Sequence, residues 1–251
     1  MELKDQIITA ISYYKSPFKQ QTIREAKRLK GQIGLELGGP SSVFSRKSFF
    51  PVYLYAKSVD GVNFSNQTVW EGQLTEGDTY NYLSSHGLGH QYIDEAGILS
   101  TVPDNKYDFL LSSHSLEHMA NPIKALKRWH AVLKPRGTLC LILPDKRFTF
   151  DHNRPYTTFE HLLQDEAQDV DENDTTHFEE VIRLHDLSKD IDQDKVQFEQ
   201  RTRNNSVQRC VHHHVFSPEL IEQLLNYCGF EVTISKTFKP FHLFTLARKK
   251  D

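Results

Sequence analysis

The chain has 251 residues, with 30 basic side chains against 33 acidic ones and a formal charge of −3. That length can bury one generous α/β core without a disulfide or metal staple. Near-neutral charge argues against a polyanion binder held by bulk electrostatics.

Three cysteines (Cys140, Cys210, Cys228) have no metal-type spacing and suit buried thiols in a reducing compartment. The first residues lack the basic-then-apolar form of a signal peptide, and no apolar run reaches the length of a membrane span. The expectation is a cytoplasmic protein with neither nucleic acid nor membrane as partner.

Leu3, Ile7, Ile8 and Ile11 share one face of a predicted helix over 3–14, with Ser16-Pro17 as its stop. A more basic helix follows over 20–29 and Gly31 closes it. Ile33 to Leu37 is a short apolar run carrying Glu36 that breaks into Gly38-Gly39-Pro40, a buried strand ending in a tight loop. Val52 to Val59 reads as a second strand ending at Asp60-Gly61. An acid there, about 20 residues past the glycines, has the spacing of a ribose-binding carboxylate, with a turn Asp as the alternative.

Residues 63–89 are polar, with a helix expected around 78–85. Gln91 to Glu95 is a third strand and Tyr107 to Ser112 a fourth. Asn121 to Leu133 is a helix with Ile123, Leu126, Trp129 and Val132 at helical spacing. Lys134 to Gly137 stops it, and Thr138 to Leu143 is apolar on both faces, as a central parallel strand must be. The alternation argues for a parallel, doubly wound sheet. From Asp145 to Val211 the chain turns charged and His-rich, but its aromatics favour packed structure over disorder. Order resumes with a helix from Ser217-Pro218 to Gly229 and two closing strands, 230–235 and 241–247.

The glycine loop lacks the spaced third glycine of the dinucleotide fingerprint, and Pro40 removes a backbone donor; a ligand without phosphates suits it better. His114-Ser-Leu-Glu-His118 matches an inverted zinc-protease pattern. It directly follows a strand, however, and reads as a ligand-contacting loop rather than two ligands on a helix. The triplet His212-His-His214, with Asp151 or His177, has donors for a metal, but substrate contact or packing is the preferred reading, and no metal ligand is assigned.

Leu35-Glu-Leu-Gly-Gly39, Asp94-Glu95, Lys106-Tyr-Asp-Phe-Leu-Leu111, Leu116-Glu-His-Met-Ala-Asn-Pro122 and Val132-Leu-Lys-Pro-Arg-Gly-Thr138 together resemble class I S-adenosylmethionine-dependent methyltransferases, in the small-molecule branch called methyltransferase type 11. The resemblance implies a Rossmann-like class I methyltransferase fold. That is an α/β architecture with a mostly parallel seven-stranded sheet, helices on both faces, an antiparallel last strand, and an insertion after strand 5. Residues 1–30 would be an N-terminal helical cap, 31–144 with 212–251 the cofactor-binding core, and 145–211 a substrate-facing insertion.

It further implies S-adenosyl-L-methionine as cofactor. Glu36, Gly38 and Gly39 would line its amino-acid end, Asp60 would take the ribose, Asp94, Glu95 and Ala96 would flank the adenine, and Ser113 and His114 would face the sulfonium. The family's usual third loop glycine is replaced here by Pro40-Ser41. Pro144 to Arg154 and Thr157 to His161 resemble methyltransferases encoded among glycan-assembly enzymes, which implies a sugar-containing acceptor.

A hydroxyl acceptor needs a base within hydrogen-bond reach. The candidates are His114, Asp145, Asp151, His152 and His161, with Arg147, Arg154, His212 and His214 as substrate contacts. The alternatives are a catalytically inactive binding module on the same fold and a metal-dependent hydrolase built from the His-rich residues. The oligomeric state is left open, a homodimer included.

Overall fold

The computed structural model describes residues 16–251 except 69, 85 and 191–193, so the helix expected over 3–14 lies outside the described residues. Ser16 caps the first described helix, accepting from the Lys19 amide at 3.3 Å, with Pro17 at the position where its missing donor costs nothing. The Ser-Pro pair thus starts helix α1, Pro17–Arg28.

Eight strands form the main sheet: β1 (Ile33–Leu37), β2 (Ser58–Asn63), β5 (Gly77–Tyr80), β6 (Gly89–Ile93), β7 (Tyr107–Ser113), β8 (Leu133–Pro144), β9 (Phe230–Phe238) and β10 (His242–Lys249). A two-stranded ribbon, β3 (Gln67–Thr68) and β4 (Gly72–Gln73), stands apart. The spatial order is β5-β6-β2-β1-β7-β8-β10-β9. From β6 to β8 every pairing is parallel, whereas β10 runs antiparallel to both β8 and β9.

The Rossmann-like class I architecture is therefore present, with one strand more than the seven expected. The extra strand is β5, antiparallel to β6, where a helix over 78–85 was predicted. Tyr80 and Tyr82 are buried while Asn81 between them is exposed, which is the period of a strand edge and not of a helix.

A second difference matters more. Val52–Leu54 is a 3₁₀ turn, and β2 begins only at Ser58. Asp60 is paired with Leu35 inside the strand, and Asn63 occupies the carboxyl end.

One face of the sheet is covered by α2 (Pro122–Val132), α3 (Phe159–Ala167) and α6 (Pro218–Tyr227), which bury Ile123, Leu126, Trp129, Leu162, Leu220 and Leu224. Asn121 and Ser217 cap α2 and α6, each followed by proline at the first turn. The other face is filled by α1 and by aromatic residues of the loop after β1, Phe44, Phe49, Phe50 and Tyr53 among them.

The segment 145–211 divides. Leu162 of α3 belongs to the main core, while α4 (Phe178–Leu184) and α5 (Lys195–Arg203) close a small cluster of Phe178, Val181, Phe198 and Val211. Chain order reverses between β1 and β7, the place where open α/β sheets form a ligand crevice at the strands' carboxyl ends.

Candidate active site

Gly38 leaves β1 at φ +73°, and a side chain there would press on the Ser115 hydroxyl. Gly39 packs its Cα directly against the Glu36 carboxyl, so a Cβ at that position would overlap it. Glu36 itself is fully buried under the loop. It accepts from Tyr53 Oη at 2.5 Å, Tyr80 Oη at 2.7 Å and the Ser41 amide at 2.9 Å. Burial pushes its pKa up to about 7 against the pull of those donors. Asn63 ties β2 to the loop by donating to Gly39 O at 3.3 Å, and Ser115 donates to Leu37 O at 3.0 Å. The result is a bare, rigid cradle without a nest of amides for phosphates.

A cavity of about 880 Å³ opens from this cradle across the carboxyl ends of β1, β2, β6 and β7 and runs under the 145–211 segment. That is near the upper end of small-molecule sites, roughly 300–1,000 Å³. Of the expected cofactor residues, Gly38, Glu95, Ala96, Ser113 and His114 line it. Glu36 and Gly39 sit beneath the loop and act through its shape. Asp94 faces away, accepting from the Thr101 amide at 2.9 Å and Ser100 Oγ at 3.1 Å.

Asp60 is a correction. It accepts from Tyr107 Oη at 2.6 Å, Lys106 Nζ at 3.3 Å and the His90 amide at 3.0 Å, toward the amino end of β7 and away from the cavity. Asn63 lines the cavity at the strand end where the acid was expected.

The expected catalytic residues divide in the same way. His114 lines the cavity with φ +54°, a strained backbone for a non-glycine residue, and its Nε2 meets His242 Nδ1 at 2.9 Å. Asp151 also lines it but is buried between Arg154 Nη1 at 2.9 Å and His212 Nδ1 at 2.5 Å.

The remaining three do not reach the cavity. Asp145 is clamped by its neighbour Arg147, whose Nη2 donates at 2.6 Å and holds the carboxyl below its usual range. His152 pairs with Asp186 at 2.8 Å, and His161 Nε2 meets His177 Nε2 at 3.0 Å beside His214.

Among the expected substrate contacts, His212 lines the cavity; Arg147, Arg154 and His214 do not. Arg154 is 1% exposed and donates to Asp151, Glu180, His212 O and His213 O, a structural clamp that holds the His212–His213 backbone.

Of the other lining residues, Asn63, Trp70, Glu71 and Arg209 carried no functional expectation from the sequence, whereas Glu117 and His118 belong to the stretch expected as a ligand-contacting loop. Glu117 and His118 stand on a 3₁₀ turn, Leu116–His118, directly after β7. Arg209 reaches from the insertion to Glu95 Oε1 at 2.5 Å and Glu172 Oε2 at 2.9 Å, closing the cavity's rim. The Leu116-Glu-His118 string was the signal for Glu117 and His118; nothing in the sequence alone pairs Arg209 with Glu95.

A protein family described as "Methyltransferase domain" matches residues 22–234, most of the chain. The chain belongs to this methyltransferase family. A solved S-adenosylmethionine-dependent methyltransferase from Mesorhizobium loti superposes with a TM-score of 0.51 at 13% identity, covering 94% of this chain and 99% of its own. A Listeria monocytogenes protein assigned as an S-adenosylmethionine-dependent methyltransferase gives 0.50 at 16% identity, over 92% and 99%. At such identities the likeness speaks to the fold. No curated protein matches by sequence.

The methyltransferase is of class I and its cofactor is S-adenosylmethionine. The residues present fit that group. Gly38, at positive φ, lets the loop close tightly on Ser115 beside the cavity, the loop lacks the phosphate-binding features of a dinucleotide site, and Asn63 offers both a donor and an acceptor at the strand end where the resemblance puts the ribose.

Proposed function

We propose that this methyltransferase methylates an oxygen of a small polar acceptor, sugar-containing and used in surface-glycan assembly, in the cytoplasm. The observation that carries the proposal is the continuity of one cavity from the cofactor cradle to the 145–211 segment, with charged lining at Asp151, Lys189 and Arg209. Those charged groups can take an acceptor's hydroxyl or anionic groups, while the aromatic lining, Trp70, Phe148 and Phe150 among it, would face the acceptor's apolar surfaces. Three cysteines, none of them in a disulfide, suit the reducing compartment, and no helix of the described residues is long and apolar enough to cross a membrane.

S-adenosylmethionine supplies a methyl carbon on a cationic sulfur, whose transfer to an acceptor oxygen leaves neutral S-adenosylhomocysteine and a proton. The chain's part is positioning and proton removal in a site shielded from water. Gly38 would take the cofactor's amino-acid end, Asn63 its ribose and Glu95-Ala96 its adenine, and the insertion would hold the acceptor against the sheet edge.

His114 takes the proton. Of the five expected bases only it and Asp151 line the cavity, and Asp151 is clamped by Arg154 whereas His114 has only His242 at Nε2 and the Glu117 carboxyl 3.4 Å from Nδ1. His242, which burial holds down to about pKa 4 and therefore neutral at pH 7, orients it. A screen of sugars and nucleotide sugars with radiolabelled cofactor tests the reading. Label transferred to one acceptor class by the wild-type chain is the expected result; no transfer to any hydroxyl acceptor by a protein that binds S-adenosylhomocysteine contradicts it.

A further inference from the structure

Glu117 is 0% exposed, and neither of its carboxylate oxygens accepts a hydrogen bond. A buried carboxylate without donors costs several kcal/mol, on the order of the effective penalty for one ion, so something must compensate it. The nearest nitrogens are His114 Nδ1 at 3.4 Å and His212 Nε2 at 4.0 Å from Oε1.

The neighbouring imidazoles have their protons fixed from behind. His118 Nδ1 faces Val211 O at 3.1 Å, and a carbonyl can only accept, so the proton is on Nδ1 and the Nε2 lone pair is free. His212 Nδ1 faces Asp151 Oδ2 at 2.5 Å, and Arg154 Nη1 holds the other carboxylate oxygen at 2.9 Å. Its Nε2 is likewise left toward Glu117. A carboxylate or carbonyl behind each imidazole is the arrangement that orients histidine ligands around a metal.

We infer that Glu117, His118 and His212 form a binding site for one divalent transition-metal ion in the cavity wall. One ligand atom from each residue lies within 4.8 Å of the others. Bonds of about 2.1 Å at tetrahedral angles require separations of roughly 3.4 Å, which a rotation of the Glu117 carboxylate and small tilts of the two held imidazoles would supply. Two imidazoles and one carboxylate suit zinc, iron, cobalt or manganese better than magnesium, which prefers oxygen.

All three residues line the cavity, so the remaining coordination positions face the acceptor. The role of the ion rests on the methyl-transfer reading above. By binding the acceptor oxygen it would lower that hydroxyl's pKa and let the proton pass to His114. A second cluster, His161, His177 and His214, satisfies the same spacing but does not line the cavity. There, His161 and His177 face each other at 3.0 Å, and His214 Nε2 already donates to Ala120 O at 3.1 Å.

The test uses the full chain stripped with chelator, titrated with Co²⁺ and read by calorimetry and visible absorption, alongside S-adenosylhomocysteine binding and a melt for each sample. The expected result is one Co²⁺ per chain. Affinity should fall at least 100-fold in Glu117→Gln and His212→Ala, fall 10–100-fold in Asp151→Asn, and be unchanged in His161→Ala.

No Co²⁺ binding to folded wild-type protein overturns the site. So does binding that His161→Ala abolishes and Glu117→Gln spares. If Glu117→Gln fails to fold, His212→Ala and the wild-type titration decide. Protein that binds S-adenosylhomocysteine but no Co²⁺ overturns the metal site alone, whereas folded protein that binds Co²⁺ but no S-adenosylhomocysteine overturns the cofactor reading instead.

Discussion

Glu36 sits under the cofactor loop with three donors on it, yet burial raises its pKa from 4.5 to about 7. A carboxyl raised in the folded state contributes stability that is fully present below its unfolded pKa and is lost as pH climbs through the folded value. The stability of wild type relative to Glu36→Gln should therefore fall between about pH 4.5 and 7 and stay flat above, by about 3 kcal/mol in all. Thermal melts of both proteins across pH 4.5–8 measure it, and a difference independent of pH would contradict the account.

His114 makes a separate prediction. His114→Ala should lower kcat by 10²–10⁴-fold while S-adenosylhomocysteine affinity changes little, since a base contributes roughly that much to rate and not to cofactor binding. Equal losses in both would reassign the residue to cofactor binding.

At the scale of elements, the return of the insertion depends on one side chain. Arg154, in the loop between β8 and α3, bonds Glu180 of α4 and the carbonyls of His212 and His213. Arg154→Met removes one of the two partners of buried Asp151 and leaves only His212, at a cost of about 3–5 kcal/mol. Limited proteolysis should then cut first between residues 145 and 211, with the β1–β8 core protected. Cleavage spread evenly over the chain would contradict this.

The elements also show where sequence reading holds and where it stops. The apolar runs of β1, β7 and β8 and the capped helices α2 and α6 were legible because local pattern and tertiary role agree there. The strand at Gly77–Tyr80 and the true start of β2 were not. Tyr80 is a strand residue because it fills the space over Gly61 and reaches Glu36, a contact 44 positions away. Val52 and Tyr53 look like strand residues because they are buried, but they pack on a 3₁₀ turn. That single shift carried the expected ribose acid from the strand's tip to its interior.

At the scale of the molecule, the Rossmann-like sheet supplies the crevice in which we place the cofactor, and the 145–211 segment closes over it, with the Arg209–Glu95 contact at the rim. Candidate residues from the insertion were named in the sequence by type, His, Asp and Arg. Which of them face the cavity was settled only by how α3 joins the main core and how the His212 segment returns over the turn after β7.

The central claim is that the crevice between the glycine loop and Asn63 holds the cofactor. Calorimetric titration of S-adenosylhomocysteine into the wild-type chain and into Asn63→Ala tests it most directly. The account predicts 1:1 binding to wild type and affinity about 10-fold weaker in the variant, the loss of one or two hydrogen bonds worth about 1–2 kcal/mol. The variant also loses its bond to Gly39 O, so its melting temperature should fall by about 2–4 °C while it stays folded. No binding to well-folded wild-type protein, or undiminished affinity in Asn63→Ala, would contradict it.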